Sequence, residues 1–421
     1  MIVVLIVIIV SVLLADLYFY KATNSLIEGW SSAKFIKIGY WSTTIVLLAV
    51  LITGYVMYVF GKPISGSLRV LLQGVVFCLF VPRLISLGFF VLDDSIRLGK
   101  YIASFFSSGV SSESITEGEG GISRSRFLQL SGLGAFALFF SVFTYGIFKG
   151  AYNFNVIRKK IVLPKLPKAF EGVKIIQISD LHLGSFFSSK PIEEAIKLIN
   201  QEQPDFIFFT GDLVNDIAEE AESFVPVLQK MQAKEGIYSI LGNHDYGDYF
   251  YRSTDPDVKE KKKHNKDLMK KIHREAGFQL LLDESVNLEK EGERLAIIGI
   301  ENWGAKARFP KYGNLKKAVQ GTESAAVKLL LSHDPSHWEA QVIPEFKDID
   351  VTFSGHTHGM QFGIEIPGFK WSPAKYIYKQ WAGLYEKEGQ QLYVNRGLGF
   401  LGYPGRVGIS PEISVFELSN S

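Results

Sequence analysis

The segment Val173-Lys174-Ile175-Ile176-Gln177-Ile178-Ser179-Asp180-Leu181-His182 is an apolar, β-branched run that ends abruptly in a polar Asp-x-His. Residues two apart in an extended chain point the same way, so Asp180 and His182 address one point. Four further apolar runs end alike. Residues 206–210 lead into Gly211-Asp212-Leu213-Val214-Asn215-Asp216, and 237–241 into Gly242-Asn243-His244-Asp245. Residues 327–331 lead into Ser332-His333-Asp334-Pro335, and 351–354 into Gly355-His356-Thr357-His358-Gly359. Any one of these clusters alone is ordinary turn chemistry. Five in succession, each closing a strand, are not, because open α/β folds collect functional residues at the carboxyl ends of their strands. The glycines beside the clusters permit tight turns and close backbone approach. Carboxylates, imidazoles and an amide oxygen without thiolate suit Mn, Fe or Zn. Two such ions about 3.5–4 Å apart can polarise a phosphoryl group together.

Outward from these motifs the chain divides in two. Residues 151–421 carry 34 Lys/Arg and 36 Asp/Glu, an ordinary aqueous composition, whereas residues 1–150 carry only 11 and 7. Four apolar runs, about 2–20, 38–60, 69–92 and 128–148, lie in the first part. Each approaches the ~20 residues that cross a ~30 Å hydrocarbon core as a helix. Tyr18, Tyr20, Tyr40, Trp41, Tyr58 and Tyr145 near their ends suit interfacial anchors. The first run lacks the basic n-region and cleavage site of a signal peptide. A multi-pass protein of the cell membrane is therefore expected, with the lipid bilayer as a partner. The side of the catalytic domain is not fixed, because flanking basic residues divide six against seven. Residues 107–125, rich in Ser, Gly and Glu, read as a flexible loop, and 151–164 as a linker ending in prolines. Asp16 and Arg83 each fall 14 positions into spans that run in the same direction. They can pair at matching depth, or lie separately at the interface, with Arg83 snorkelling.

The second part alternates strand-like and helix-like patterns. Strands are expected at 173–179, 206–210, 237–241, 295–300, 327–332, 350–354, 391–395 and 413–418, and helices at 190–202, 217–233 and 261–276. This is a mixed α/β layered domain. A net charge of +2 argues against a dedicated nucleic-acid binder, and no nucleic-acid partner is expected. The single cysteine, Cys78, excludes an intramolecular disulfide and a thiolate zinc cluster.

The order D-x-H, G-D-x-x-D, G-N-H-D, H, G-H-x-H resembles the calcineurin-like metallophosphoesterase superfamily, spanning Asp180 to His358 in a domain expected at 165–421. The resemblance implies a four-layer sandwich of two mixed β-sheets flanked by helices, here preceded by a four-helix transmembrane region. It implies one divalent metal held by Asp180, His182, Asp212 and His358, and a second held by Asp212, Asn243, His333 and His356. Asp212 would bridge them, a metal-bound hydroxide would attack phosphorus, and His244 would serve as general acid or transition-state stabiliser. Two divalent ions against Asp180, Asp212 and one hydroxide leave such a site slightly cationic, which suits an anionic phosphate. Asp216 and Asp245 are expected to support ligating imidazoles. Asn215 stands where the pattern has its second Asp. His337 rivals His333, which the apolar run feeds directly. The order Asp-Pro-Ser-His-Trp, Gly-His-Thr-His-Gly-Met-Gln-Phe-Gly, Arg-Gly-Leu-Gly resembles the bacterial membrane-tethered branch, which implies phosphomonoester, diester or pyrophosphate hydrolysis, with a lipid-linked substrate for some members.

Other features stay open between two readings. Arg396 can clamp a substrate phosphate or form a structural ion pair. The basic helix within 252–274 can touch headgroups or face water. Tyr246, Tyr249, Phe250, Tyr251, Trp303 and Phe309 can line a pocket or pack loops. A non-catalytic scaffold of the same fold, or a transporter with an appended domain, are the competing functions. All seven ligand positions and His244 are intact, which favours the enzyme.

Overall fold

The computed structural model describes residues 2–59, 66–106, 123–307 and 309–421, in two compact units, Met1–Tyr145 and Gly146–Ser421. The loop expected at 107–125 lies, apart from its last three residues, outside the described residues.

The first unit holds helices α1 (Ile2–Ile27), α2 (Ala33–Val59), α3 (Gly66–Val75), α4 (Val81–Phe106) and α5 (Arg124–Phe148). A π-helical turn, Val76–Phe80, joins α3 to α4. Pro82 follows it, and a proline ring crowds the carbonyl four residues earlier, so the helix widens there. Four helical segments are long and apolar enough to span a membrane. Asp16 and Arg83 are both buried and do pair. Arg83 Nη1 lies 2.9 Å from Asp16 Oδ2, which also accepts from Thr44 Oγ1 at 2.7 Å. Arg83 Nη2 donates to Thr43, and the guanidinium lies 4.7 Å over the Tyr40 ring. Near the helix ends, Asp93 meets Arg97 at 2.9 Å and Arg124 at 3.4 Å.

The second unit has fourteen strands in chain order. β1 (Asn155–Val162), β2 (Lys174–Ile178), β3 (Phe206–Phe209), β4 (Gly236–Ser239) and β5 (Gln279–Leu280) are followed by β6 (Glu284–Lys290), β7 (Glu293–Gly299), β8 (Val327–Leu331) and β9 (Val351–Ser354). Then come β10 (Ile364–Ile366), β11 (Phe369–Trp371), β12 (Gly383–Lys387), β13 (Gln390–Val394) and β14 (Glu412–Ser419). Two six-stranded sheets form, ordered β1-β14-β2-β3-β4-β5 and β12-β13-β9-β8-β7-β6, while β10 and β11 pair as a separate hairpin. Both large sheets are mixed. β2 to β5 run parallel and β14 antiparallel to β2; β7, β8, β9 and β13 run parallel, with β6 and β12 antiparallel at the edges.

The inner strands β2, β3, β4, β7, β8, β9, β13 and β14 are buried on both faces, as sheets covered on both sides must be. Along β7, Leu295 and Ile297 join a core with Ile175, Phe206 and Phe208 of the other sheet. The alternate residues Ala296 and Ile298 pack under Trp338 and Val342 of the helical layer outside. α6 (Lys190–Gln201) buries Ile192, Ala195, Ile196 and Ile199, and the helix Val258–Glu275 buries Met269 and Ile272. The result is the four-layer α/β sandwich that the sequence implies.

Residues 155–162 depart from the linker expected at 151–164. They form β1, paired in parallel register with β14 from Asn155↔Glu412 to Val162↔Ser419. The basic run Arg158-Lys159-Lys160 that reads as a linker is the exposed side of an edge strand, where charge discourages pairing with other chains. The expected helix 217–233 is present as two short turns, Glu219–Glu222 and Val225–Leu228, with Pro226 at the start of the second.

The Asp16–Arg83 pair yields a prediction. Asp16→Leu alone strands a buried guanidinium and is expected to destabilise the protein by about 3–5 kcal/mol. The double variant Asp16→Leu/Arg83→Met removes both charges and should recover most of that loss. Thermal melting of the detergent-solubilised full chain checks both.

Candidate metal centre

Six parallel strands of the two sheets, β2, β3, β4, β8, β9 and β13, end on the same side, and the polar clusters follow their last residues. The loops are stitched together by backbone: Asp180 N donates to Gly211 O (2.9 Å), and Gly355 N to His333 O (3.0 Å). The sheets are joined as well. The carboxylate of Asp180 accepts from His356 N at 3.0 Å, His333 Nδ1 lies 2.7 Å from Thr210 O, and Gln177 Nε2 donates to Ser354 O at 2.9 Å. Asp180, His182, Asp212, His356 and His358 all adopt positive φ, between 47° and 72°. Each such residue costs about 1–3 kcal/mol and persists only where its surroundings over-determine it. Glycines make room: a Cβ on Gly242 would stand 2.2 Å from Asp212 Oδ1, and one on Gly355 2.3 Å from Asp180 Oδ2.

This backbone gathers two groups. In Asp180, His182 and His358, and again in Asp212, His333 and His356, donor atoms lie within 4.8 Å of one another. His358 Nε2 is 3.3 Å from Asp180 Oδ1 and 3.0 Å from His182 Nε2. Asp212 Oδ2 stands between the groups, 3.1 Å from His333 Nε2 and 3.7 Å from His182 Nε2. His356 Nδ1 completes the second group, 3.2 Å from His333 Nε2. The ring orientations follow from outer partners. Val214 O takes the Nδ1–H of His182 (3.1 Å), which leaves its Nε2 with an open lone pair, and Thr210 O takes that of His333, which turns its Nε2 to Asp212.

Burial pushes the His182 imidazole down to about 3 and His356 to about 4, and drives His358 well below its usual range. These rings are neutral. Burial, with the Asp212 charge beside it, pushes Asp180 up to about 6 against the pull of His333. Burial would lower His333 too, but Asp212 overrides it and holds that ring up at about 10. Buried carboxylates and neutral imidazoles converging without a cation are an unfavourable arrangement that a divalent ion relieves. A further atom fits that role. Asn243 Oδ1 is buried without a hydrogen-bond partner among the described residues, while Asn243 Nδ2 donates to Tyr249 Oη at 3.0 Å. An orphaned amide oxygen costs about 1–3 kcal/mol unless something is bound to it.

The supporting residues differ in part from expectation. Asp245 orients backbone rather than imidazole: it accepts from the amides of Asp212 (2.9 Å), Gly242 (2.8 Å), Leu213 (2.8 Å) and Val214 (3.2 Å). Asp216 enters through its backbone amide, which with that of Asn215 donates to Glu220. Asn215 serves through its carbonyl, 2.5 Å from His244 Nδ1, so the change from Asp leaves that contact intact. Arg396, expected to clamp a substrate, is instead buried between Glu412 and Glu365, the latter at 2.5 Å; the two carboxylates occupy its Nη1 and Nη2. His337 is bound by Ser332 Oγ (2.9 Å) and Gln341 (2.9 Å), so His333 alone of the two reaches the site. Trp303 packs at a tilt against His337, whereas Phe309 stands edge-on to His356 at 4.6 Å.

Four contributors escaped the sequence reading. Glu220 was read as part of a helix face. Asp334 Oδ2 lies 3.6 Å from His356 Nε2, and its place directly after His333 is the signal that could have found it. Tyr378 Oη lies 2.8 Å from the same nitrogen, leaving Nδ1 to the site. Buried Arg406 donates to the carbonyls of Arg396, Gly397 and Gly399 and lies 3.3 Å from His358 Nδ1, holding the loop beneath that ring. The site opens into a cavity of about 390 Å³, where Asp212, Asn243 and His244 face Met360, Ile377 and Leu401.

Gly242→Ala tests the dependence on backbone approach. The added methyl displaces the Asp212 carboxylate, so metal content per folded chain, by elemental mass spectrometry, should fall well below that of the parent. Unchanged content would show that Asp212 does not hold metal.

Residues 173–360 match the family model described as "Calcineurin-like phosphoesterase", and residues 1–151 match "Probable Calcineurin-like phosphoesterase, transmembrane domain". The chain is 30% identical to the "Uncharacterized metallophosphoesterase YkuE" of Bacillus subtilis (strain 168) over 261 residues, 61% of this chain and 82% of that protein. It is 26% identical to the "Transmembrane protein with metallophosphoesterase domain" of Danio rerio over 417 residues, 97% of this chain and 87% of that one. It is 29% identical to the "UDP-2,3-diacylglucosamine pyrophosphatase LpxG" of Chlamydia trachomatis over 294 residues, 58% of this chain and 84% of that protein. Two imidazole–carboxylate groups at the strand ends of one unit, and a membrane-type helical region in the other, thus coincide with these matches: the chain is a multi-pass membrane member of the calcineurin-like phosphoesterase family.

Proposed function

We propose that this metallophosphoesterase hydrolyses a phosphoester or pyrophosphate bond of a lipid-linked substrate. Its metal ligands in this reading are Asp180, His182, Asp212 and His358 for one cation, and Asp212, Asn243, His333 and His356 for the other. The observation that carries the proposal is the position of Asp212 Oδ2 between the two imidazole groups. Members of the family generally use two divalent cations, and Mn, Fe or Zn suits this donor set. When bound, the cations supply charge that polarises the phosphoryl group and lowers the pKa of water.

The chain's own residues do the remaining work. The Asp212 carboxylate accepts from the His244 amide and that of Asp180 from the His356 amide, so both acids are oriented before substrate arrives. His244 is oriented twice: its amide donates to Asp212 Oδ1 at 2.9 Å, and its Nδ1–H donates to Asn215 O. That leaves the Nε2–H of the ring's imidazolium form to deliver a proton to the leaving oxygen, after which the ring is the neutral Nδ1–H tautomer. Tyr249 packs at a tilt against this ring, with centroids 4.5 Å apart, and restricts its turning. The apolar wall of Met360, Ile377 and Leu401 suits the hydrocarbon part of a substrate rather than a second charged group. The relatives named UDP-2,3-diacylglucosamine pyrophosphatase support a lipid-linked pyrophosphate within that class.

Two outcomes are expected. The detergent-solubilised chain with added manganese should hydrolyse a generic aryl phosphate diester. His244→Ala should lower kcat by about 10²–10⁴-fold, and Asp212→Asn should abolish turnover, in proteins that melt like the parent. Full activity in both variants would sink the assignment. In a phosphoester panel, a lipid-linked pyrophosphate should show a higher kcat/KM than a soluble analogue with the same headgroup. Equal values would remove the lipid from the proposal while leaving the hydrolase.

A further inference from the structure

The β10–β11 hairpin is built the wrong way round for a soluble protein. Its register is Ile364↔Trp371, Glu365↔Lys370 and Ile366↔Phe369. Alternation therefore places Ile364, Ile366, Phe369 and Trp371 on one face and Glu365 and Lys370 on the other. The charged face is the one that makes polar contacts with the protein, although Glu365 and Lys370 stay exposed and Trp371 of the apolar face is half-buried. Glu365 accepts from Arg396 at 2.5 Å, and Lys370 Nζ donates to Ala382 O at 2.5 Å while lying 4.8 Å over the Trp381 ring. The apolar face is the one turned out: Ile364, Ile366 and Phe369 are 50%, 59% and 52% exposed. A sheet with one wet face normally shows the reverse.

The same run of chain continues the pattern. Met360, Tyr376, Ile377 and Leu384 are exposed large apolar residues, and Met360 and Ile377 also line the metal-site cavity. Exposed apolar surface on this scale marks a site of contact. Glu365 and Lys370 are engaged inward, so the hairpin cannot turn over to hide its apolar face without breaking both contacts.

We propose that this face dips into the headgroup–acyl boundary of the bilayer, so that the mouth of the cavity meets the lipid surface. Two features favour lipid as the occupant. Among the described residues, four segments are able to span a membrane, and the unit that carries the hairpin is covalently tethered to them. Lys375 and Lys379 lie beside Trp371 and Tyr376 in the sequence, and basic residues with amphipathic rings suit a phosphate-bearing interface. The inference rests on the membrane-bound reading and not on hydrolysis.

The test uses the full chain with Cys78→Ser, carrying a single cysteine coupled to an environment-sensitive fluorophore. It is reconstituted into vesicles of phosphatidylethanolamine and phosphatidylglycerol with nitroxide-labelled acyl chains. Three positions are compared. Ile366→Cys reports the hairpin, Glu291→Cys the exposed β6–β7 turn, and Leu138→Cys the outer face of α5. Label at 366 should shift to the blue and lose emission to the nitroxide, as label at 138 does, while label at 291 keeps its emission. Quenching at 366 no stronger than at 291 overturns the proposal. A blue shift at 366 without nitroxide quenching also overturns it, because the occupant is then protein. Loss of quenching at 138 would instead strike the membrane reading itself. Soluble aryl diester turnover by the Ile366→Cys protein shows separately that the site is folded.

Discussion

One carboxylate holds the functional end of this molecule together. Asp212 faces His333 and His182 through Oδ2 and the His244 amide through Oδ1, so three motifs from one sheet meet a fourth from the other. Its own position is not left to rotamer preference. Asp245 grips the loop through four backbone amides, and its buried carboxyl is pushed up to about 7 by desolvation and by the Asp212 charge. The electrostatic cost of two buried acids side by side is concentrated where cations would offset it. Parallel strands make this possible. They bring chain segments far apart in sequence to one rim, and the rim is where backbone donors and acceptors are left over for side chains to use.

The metal-ligand candidates were legible because each directly follows a strand. A strand buried on both faces reads as an uninterrupted apolar run, and the first polar residue after it is conspicuous. All eight expected strands are present, with ends shifted by up to two residues. What escaped the sequence had a different signature. β1, β6 and β12 lie at sheet edges and show water a charged side, so their alternation is diluted. β10 and β11 are three residues each, too short for a period to register. Asp334, Tyr378 and Arg406 act through side chains that arrive from loops, and Glu220 from a single helical turn; the direction of such segments is set by tertiary packing rather than by local pattern. Arg396 shows the converse: a strand-end arginine after an asparagine looks like a phosphate clamp, but Glu412 and Glu365 reach it first.

The membrane unit obeys the same economy of charge. The matching depth of Asp16 and Arg83 was readable from helix length alone, and the structure adds why the pair is tolerated. Thr43 and Thr44 add hydrogen bonds to it and the Tyr40 ring lies against the guanidinium, so neither ion faces hydrocarbon unaided. In both units, then, a buried charge is accompanied by neutral donors and acceptors that fix its direction.

The place of β14 has a consequence for biosynthesis. It lies between β1 and β2, and its first residue, Glu412, anchors Arg396. Of the strands in that sheet, it is the last to leave the ribosome. Until it emerges, β1 has no neighbour and the sheet carries an open seam beside β2. Helices α1 to α5 are translated long before, so the nascent chain is already committed to the lipid phase while its hydrolase unit waits, unsealed, for the strand that closes it.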